Sequence, residues 1–156
     1  MPRFGKRSNE CKETLHHDLN LIHDTAIETI PVDYGIHNGG RLFKEQLKNF
    51  LSGKSRIDPR VSGNLEKAKH VIAEGIRSKA EASDIHISEK HKGKSLTWDK
   101  DHLIYVAGYL MGVADILYRQ GRISHRLRWG GNWDMDGTIV IDQQFDDLPH
   151  LELYKP

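Results

Sequence analysis

Two runs of apolar residues at three- and four-residue steps constrain this chain more than any other feature. The first, Leu15, Leu19, Ile22, Ala26, Ile27 and Ile30, follows Ser8 and stops at Pro31. Such spacing gathers the apolar side chains on one face of a helix, with Ser8 as its cap and Pro31 as its breaker. The second run, Ile104, Ala107, Met111, Ala114 and Leu117, follows Asp99 and closes at Gly121, where glycine suits a helix end. Each stripe must be buried against something, and the remaining elements are short. Val32–His37, Ser83–Ser88, Leu127–Trp129, Thr138–Ile141 and Leu151–Tyr154 read as strands, while Phe43, Leu47, Phe50 and Leu51 mark a shorter helix closed near Gly53. Helices and strands do not alternate regularly. The predicted fold is therefore α+β, a single small domain over residues 1–156 in which a short antiparallel sheet packs with about three helices.

Between the short helix and the Ser83–Ser88 strand lies Lys54–Lys79, a polar stretch with Pro59, Gly63, Gly75 and no sustained period. A connection of that length is uncommon without a role. In the strand that follows, alternation places Asp84 and His86 on one face and Ile85 and Ile87 on the other. One face is chemical and the other is core.

Composition narrows the chemistry. Cys11 is the only cysteine, so the chain has no internal disulfide and no thiolate metal site; any metal must be held by histidine and carboxylate. A formal net charge of +1 gives no strong field for gathering a polyanion, and nucleic acid is not an expected partner. The basic amino terminus is not followed by the roughly 7 to 15 apolar residues of a secretory signal, and no segment reaches the roughly 18 of a membrane span. The expectation is synthesis in the cytoplasm without membrane insertion, with another agent to carry or release the protein if its target lies outside.

Most of the ten histidines have plain explanations. His16, His17 and His23 fall on the first helix, where a solvated or internally satisfied imidazole is the ordinary case. His91 and His102 flank a basic, glycine-containing stretch, and His37 and His125 have no carboxylate at a telling spacing. The run Phe145-Asp146-Asp147-Leu148-Pro149-His150-Leu151-Glu152-Leu153 differs, because Asp147 precedes His150 by three residues beside a strand. A catalytic zinc ion takes three protein ligands and leaves a fourth position for water, which a nearby unligated carboxylate can deprotonate. On these residues alone, a turn-capping role for Asp147 stands equally open.

The ordered set Gly40-Arg41 with Glu45-Gln46, Lys69-His70, Ala82-Ser83-Asp84-Ile85, Leu127-Arg128-Trp129-Gly130-Gly131-Asn132-Trp133 and the carboxyl-terminal run resembles the zinc D-alanyl-D-alanine carboxypeptidase and L-alanyl-D-glutamate endopeptidase family, in its bacteriophage endolysin branch. The resemblance runs from about Phe4 to Leu153. It implies that His70, Asp84 and His150 bind Zn2+, that Asp147 is the general base, and that Arg41 steadies the developing oxyanion with its fixed positive fork. The chain departs from the commonest family pattern in placing thirteen residues, Val71–Ser83, between the first histidine and the aspartate. His86 is the competing ligand on the same strand face.

The implied activity is zinc-dependent hydrolysis of an amide bond in the peptidoglycan stem peptide by a monomer acting at the bacterial cell wall, in host lysis or from the virion. A D-alanyl-D-alanine carboxypeptidase would use the same metal chemistry, and a non-catalytic wall-binding or phage structural protein would keep the fold without it. For Trp129 and Trp133 the first expectation is packing around a tight turn, with a substrate-lining role open to one of them. Asp134, Asp136 and Gly137 carry part of a calcium-loop pattern but lack its later ligands.

Overall fold

The two apolar stripes become helices that cover one face of a four-stranded sheet, and the face they leave open carries the predicted ligands. The computed structural model describes residues 2–156. In chain order the elements are α1 (Lys6–Lys12), α2 (His17–Ile27), β1 (Tyr34–Asn38), β2 (Arg41–Leu42), α3 (Phe43–Leu51), α4 (Asn64–Lys67), β3 (Val71–Ile72), β4 (Ala82–Ile87), β5 (Lys90–His91), β6 (Lys94–Ser95), α5 (Lys100–Arg119), β7 (Arg126–Gly130) and β8 (Asp147–Tyr154). The main sheet runs β1-β4-β8-β7, with every neighbouring pair antiparallel. Asp84 stands opposite His150, and Arg128 opposite Glu152.

The first predicted helix is two helices. Residues 14–16 are drawn into extended pairing with Ala80: its N–H donates to the Thr14 carbonyl and its carbonyl accepts from His16 N–H, both at 2.8 Å. Tertiary pairing thus interrupts a continuous apolar stripe, and α2 restarts with His16 Nδ1 accepting from Asp18 N–H at 3.1 Å. In α5 the buried line is Leu103, Val106, Ala107, Leu110, Ala114 and Leu117, slightly rotated from the predicted stripe, and Ile104 and Met111 are only partly buried. Asp99 caps this helix by accepting from His102 N–H at 3.1 Å. At its other end Gly121, at φ 70, allows Arg122 N–H to reach back to the Leu117 carbonyl.

The predicted strand Thr138–Ile141 is not one. Val140 sits at φ 68, its N–H donates to the Gly131 carbonyl at 2.9 Å, and Ile141 is 85% exposed. A strand needs extended backbone and a ladder of pairing along it, and among the described residues this segment pairs with another only through the single Val140 bond, made by a residue outside the extended region. The polar stretch after α3 contains two short elements the sequence reading missed, α4 and β3, the latter pairing in parallel with β2. The β5–β6 hairpin was also missed; its turn, Lys92-Gly93, has positive φ at both positions.

Leu19, Ile22, Ala26, Val106 and Leu110 pack with Ile36, Ile85, Ile87, Leu151 and Leu153 in the core, all at most 1% exposed. Each buried leucine or isoleucine contributes on the order of 1.5–3 kcal/mol to holding helices and sheet together. Two polar devices fix the layer. Asp18 accepts from Ser124 N–H, His125 N–H and His125 Nδ1–H at 2.8–3.1 Å, tying α2 to the chain entering β7. His23 joins Tyr34 Oη at 3.1 Å and Ser83 Oγ at 2.9 Å beneath β4, and burial pushes its imidazole down to about 3, so it is neutral. It is a satisfied core histidine.

Candidate metal centre

Period-two alternation in β4 and β8 turns Ile85, Ile87, Leu151 and Leu153 into the core and sends Asp84, His150 and Glu152 to the opposite face. The register pairing of Asp84 with His150 places these two side by side. His70 arrives from the chain just before β3, positioned by pairing of β3 with β2 and by Arg41 N–H donating to the His70 carbonyl at 2.7 Å. The thirteen residues between His70 and Asp84 close on themselves. Ala73 and Arg77 pair around Gly75, at φ 77, and the Arg77 guanidinium donates to the carbonyls of Leu65, Glu66, Ala68 and Val71. The excursion therefore adds length without separating its ends.

The result is a triangle of donor atoms. His70 Nε2 lies 3.2 Å from both Asp84 Oδ1 and His150 Nδ1, and His150 Nδ1 lies 3.1 Å from Asp84 Oδ1. The outer atoms are committed elsewhere. His70 Nδ1–H donates to the Gly39 carbonyl at 2.8 Å, His150 Nε2–H donates to Glu152 Oε2 at 2.9 Å, and Asn38 Nδ2 donates to Asp84 Oδ2 at 3.1 Å. With the outer nitrogens protonated, each neutral imidazole turns its lone pair inward, toward a carboxylate oxygen. Three electron-pair donors at this separation repel one another unless a proton or a metal cation sits among them, and donors on a tetrahedral zinc ion at about 2.0–2.1 Å are separated by about 3.3 Å. The donor set fits a divalent metal.

Electrostatics agree. Burial alone would raise the Asp84 carboxyl, yet the His70 and His150 imidazoles hold it well below the ordinary carboxylate range. Burial alone would lower His150, but its hydrogen bonds to Asp84 and Glu152 push it up to about 9. A site that binds a proton this tightly on an imidazole favours positive charge.

Asp147 opens β8 in the same cleft, a space of about 760 Å³ also lined by Arg41, Trp133 and Glu152. It is not in the triangle. Burial, reinforced by the negative charge of Asp84, raises its carboxyl above the ordinary range, which suits a group that must take and return a proton. Arg41 donates from Nη1 to Gln46 Oε1 at 3.0 Å and faces the same space. His86, the rival ligand, turns away, packing edge-on against His37 with ring centroids 6.0 Å apart. Trp129 is buried, its Nε1–H donating to the Leu148 carbonyl, whereas Trp133 lines the cleft beside His150. Asp134 and Asp136 come near Asp142 on an exposed loop.

Sequence reasoning missed the parts played by two positions, Glu152 and Gly130. Glu152 holds His150 and is itself ion-paired with Arg128, whose guanidinium lies over the Trp133 ring; its signal was the two-residue step from His150, which keeps both on one strand face. Gly130 stands opposite Asp147, where an added Cβ would lie 2.1 Å from the Asp147 carbonyl oxygen. Only glycine lets β7 pass there.

A family model described as phage L-alanyl-D-glutamate peptidase matches residues 1–154. Among solved structures, the chain is similar to the crystal structure of Serratia marcescens L-Ala D-Glu endopeptidase ChiX, at a TM-score of 0.67 and 19% identity over 97% of this chain and 90% of that one. At that identity the likeness speaks for the fold alone. Comparison with curated protein sequences gives no match.

Proposed function

The chain belongs to the phage L-alanyl-D-glutamate peptidase family, a peptidase acting on the peptidoglycan stem peptide, and from that premise we propose that it works as a zinc enzyme with His70, Asp84 and His150 as ligands, Asp147 as base and Arg41 as oxyanion partner. The observation that carries this reading is the inward convergence of three donor atoms whose outer partners are already satisfied, with an unligated carboxylate in the same cleft. Among the described residues no helix is long and apolar enough to cross a membrane.

When bound, zinc supplies a Lewis acid that acidifies water and polarises a carbonyl. His70 and His150 are kept in the required tautomers by the Gly39 carbonyl and by Glu152, a second layer of contacts that orients ligands and tunes their basicity. Asp147 takes the proton of the attacking water and then delivers it to the leaving amine nitrogen of D-glutamate; its raised carboxyl makes it a better acceptor of the water's proton than an ordinary aspartate. The Arg41 guanidinium, held by Gln46, offers fixed donors to the oxygen on which negative charge develops.

The test pairs metal content with product analysis. Chelated protein should lose hydrolysis and thermal stability, and zinc should restore both. Asp84→Ala should lose zinc and activity together, while Asp147→Ala should keep near-stoichiometric zinc as turnover falls about 10²- to 10⁴-fold. Mass spectrometry of digested peptidoglycan should show a new amino-terminal D-glutamate; released D-alanine would favour the carboxypeptidase reading instead. Full activity in metal-stripped protein would overturn the proposal.

A further inference from the structure

The cleft holds more positive charge than its chemistry uses. Of its six lysines and arginines, Arg128 is paired with Glu152, Lys69 with Glu81 at 3.3 Å, and Arg41 donates to Gln46. Lys54, Arg56 and Lys67 also line the cleft, and none of them is ion-paired among the described residues. On the acidic side, Asp84 and Glu152 are engaged by imidazoles, Asp147 is the proposed base, and Glu45 accepts from Leu42 N–H at 3.4 Å.

Lys54 and Arg56 are not on a loose loop, and Lys67 ends α4. Gln46 is 1% exposed and donates from Nε2 to Ser55 Oγ at 2.9 Å and the Ile57 carbonyl at 2.8 Å, while its Oε1 accepts from Arg41. Lys54 N–H and Ser55 N–H both return to the Asn49 carbonyl. The Arg56 guanidinium rests 4.6 Å from the centre of the Phe145 ring, which lines the same cleft. One buried glutamine thus fixes the segment bearing Lys54 and Arg56 relative to Arg41 and the site.

We infer that Lys54, Arg56 and Lys67 form a carboxylate-binding wall that selects stem peptides whose D-glutamate keeps its second carboxyl group free. The inference rests on the peptidase reading above. D-Glutamate carries two carboxyl groups and the chain consumes at most one, so the residue whose amine leaves presents a negative charge beside the scissile bond. Amidation of that group removes the charge and leaves the shape nearly unchanged. The wall therefore distinguishes acidic from amidated stem peptides.

Two synthetic stem peptides, identical except for a free carboxylate or a carboxamide on D-glutamate, test this with the zinc-loaded full chain. Wild-type protein should show kcat/KM about tenfold higher for the acidic peptide, the discrimination that one charge-assisted hydrogen bond supplies. The preference should shrink as salt is added. In Lys54→Gln/Arg56→Gln/Lys67→Gln the ratio should fall toward one, mainly through KM for the acidic peptide, while Lys54→Arg/Lys67→Arg should retain it. Equal kcat/KM for the two peptides in wild type, or an unchanged ratio in the triple variant, would overturn this inference and leave the peptidase reading standing. Cleavage of neither peptide by the wild-type zinc protein would overturn both.

Discussion

Replacing Gly130 by alanine should disable the proposed base, Asp147, without emptying the proposed metal site. The new Cβ would lie 2.1 Å from the Asp147 carbonyl oxygen and 2.9 Å from its carbonyl carbon, where ordinary contact begins at 3.4 Å. The two strands must therefore part by about 1.3 Å, 3.4 less 2.1, and the obstacle is backbone that cannot swing aside. A displacement of about 1 Å at a reacting group costs on the order of 10²-fold in rate. Overpacking of this kind costs about 1–3 kcal/mol, and Tm should fall by about 2–12 °C. His150 lies three residues further along β8, held in register by Asp84, so zinc content should stay near stoichiometric. Turnover on a soluble stem peptide, zinc content and thermal unfolding are measured on one preparation. Gly112→Ala is the counterpart: its Cβ meets nothing within 4 Å on α5, and helix propensity should raise Tm by about 2–4 °C with unchanged kcat. Turnover within about twofold of wild type in Gly130→Ala, at native Tm, would refute the reasoning.

Glu152→Ala should weaken zinc affinity about 10- to 100-fold, because His150 loses the acceptor that fixes its tautomer; a competitive chelator titration with unchanged Kd would count against that role. Arg41→Lys should keep stoichiometric zinc and lower kcat on the order of 10²-fold, since an ammonium cannot reproduce the planar fork; wild-type turnover would leave Arg41 as a loop anchor for Gln46. His23 titrates near 6.5 when unfolded and near 3 when folded. Below pH 6.5 the unfolded chain binds a proton that the folded one refuses, so stability is intact above 6.5 and lost progressively down to about 3. Denaturant unfolding of metal-free wild type against His23→Gln should show an extra slope approaching about 1.4 kcal/mol per pH unit in that window, and equal slopes would contradict it.

The chain's own order determined a good deal. Three-and-four spacing fixed α3 and α5 to within a residue or two, because a buried stripe leaves that period wherever a helix lies on a core. Alternation likewise revealed that Asp84 stands on the open face of β4, opposite Ile85 and Ile87. The same alternation placed His86 beside Asp84, and only packing decided between them, by turning the His86 ring toward His37. Helix α2 starts where it does because Ala80, distant in sequence, pairs with Thr14 and His16; a local pattern cannot register a partner that folding brings in. Thr138–Ile141 failed as a strand for the same reason, since apolar residues without a sheet edge to join remain a loop. The assembly of the site belongs to tertiary structure alone. His70 meets Asp84 across thirteen residues because Arg77 folds the excursion back upon itself, and His150 meets both because strand register, set by pairing across the sheet, puts it opposite Asp84. Sequence names which side chains can give electron pairs to a metal; the hydrogen bonds of the sheet decide that three of them point at one place.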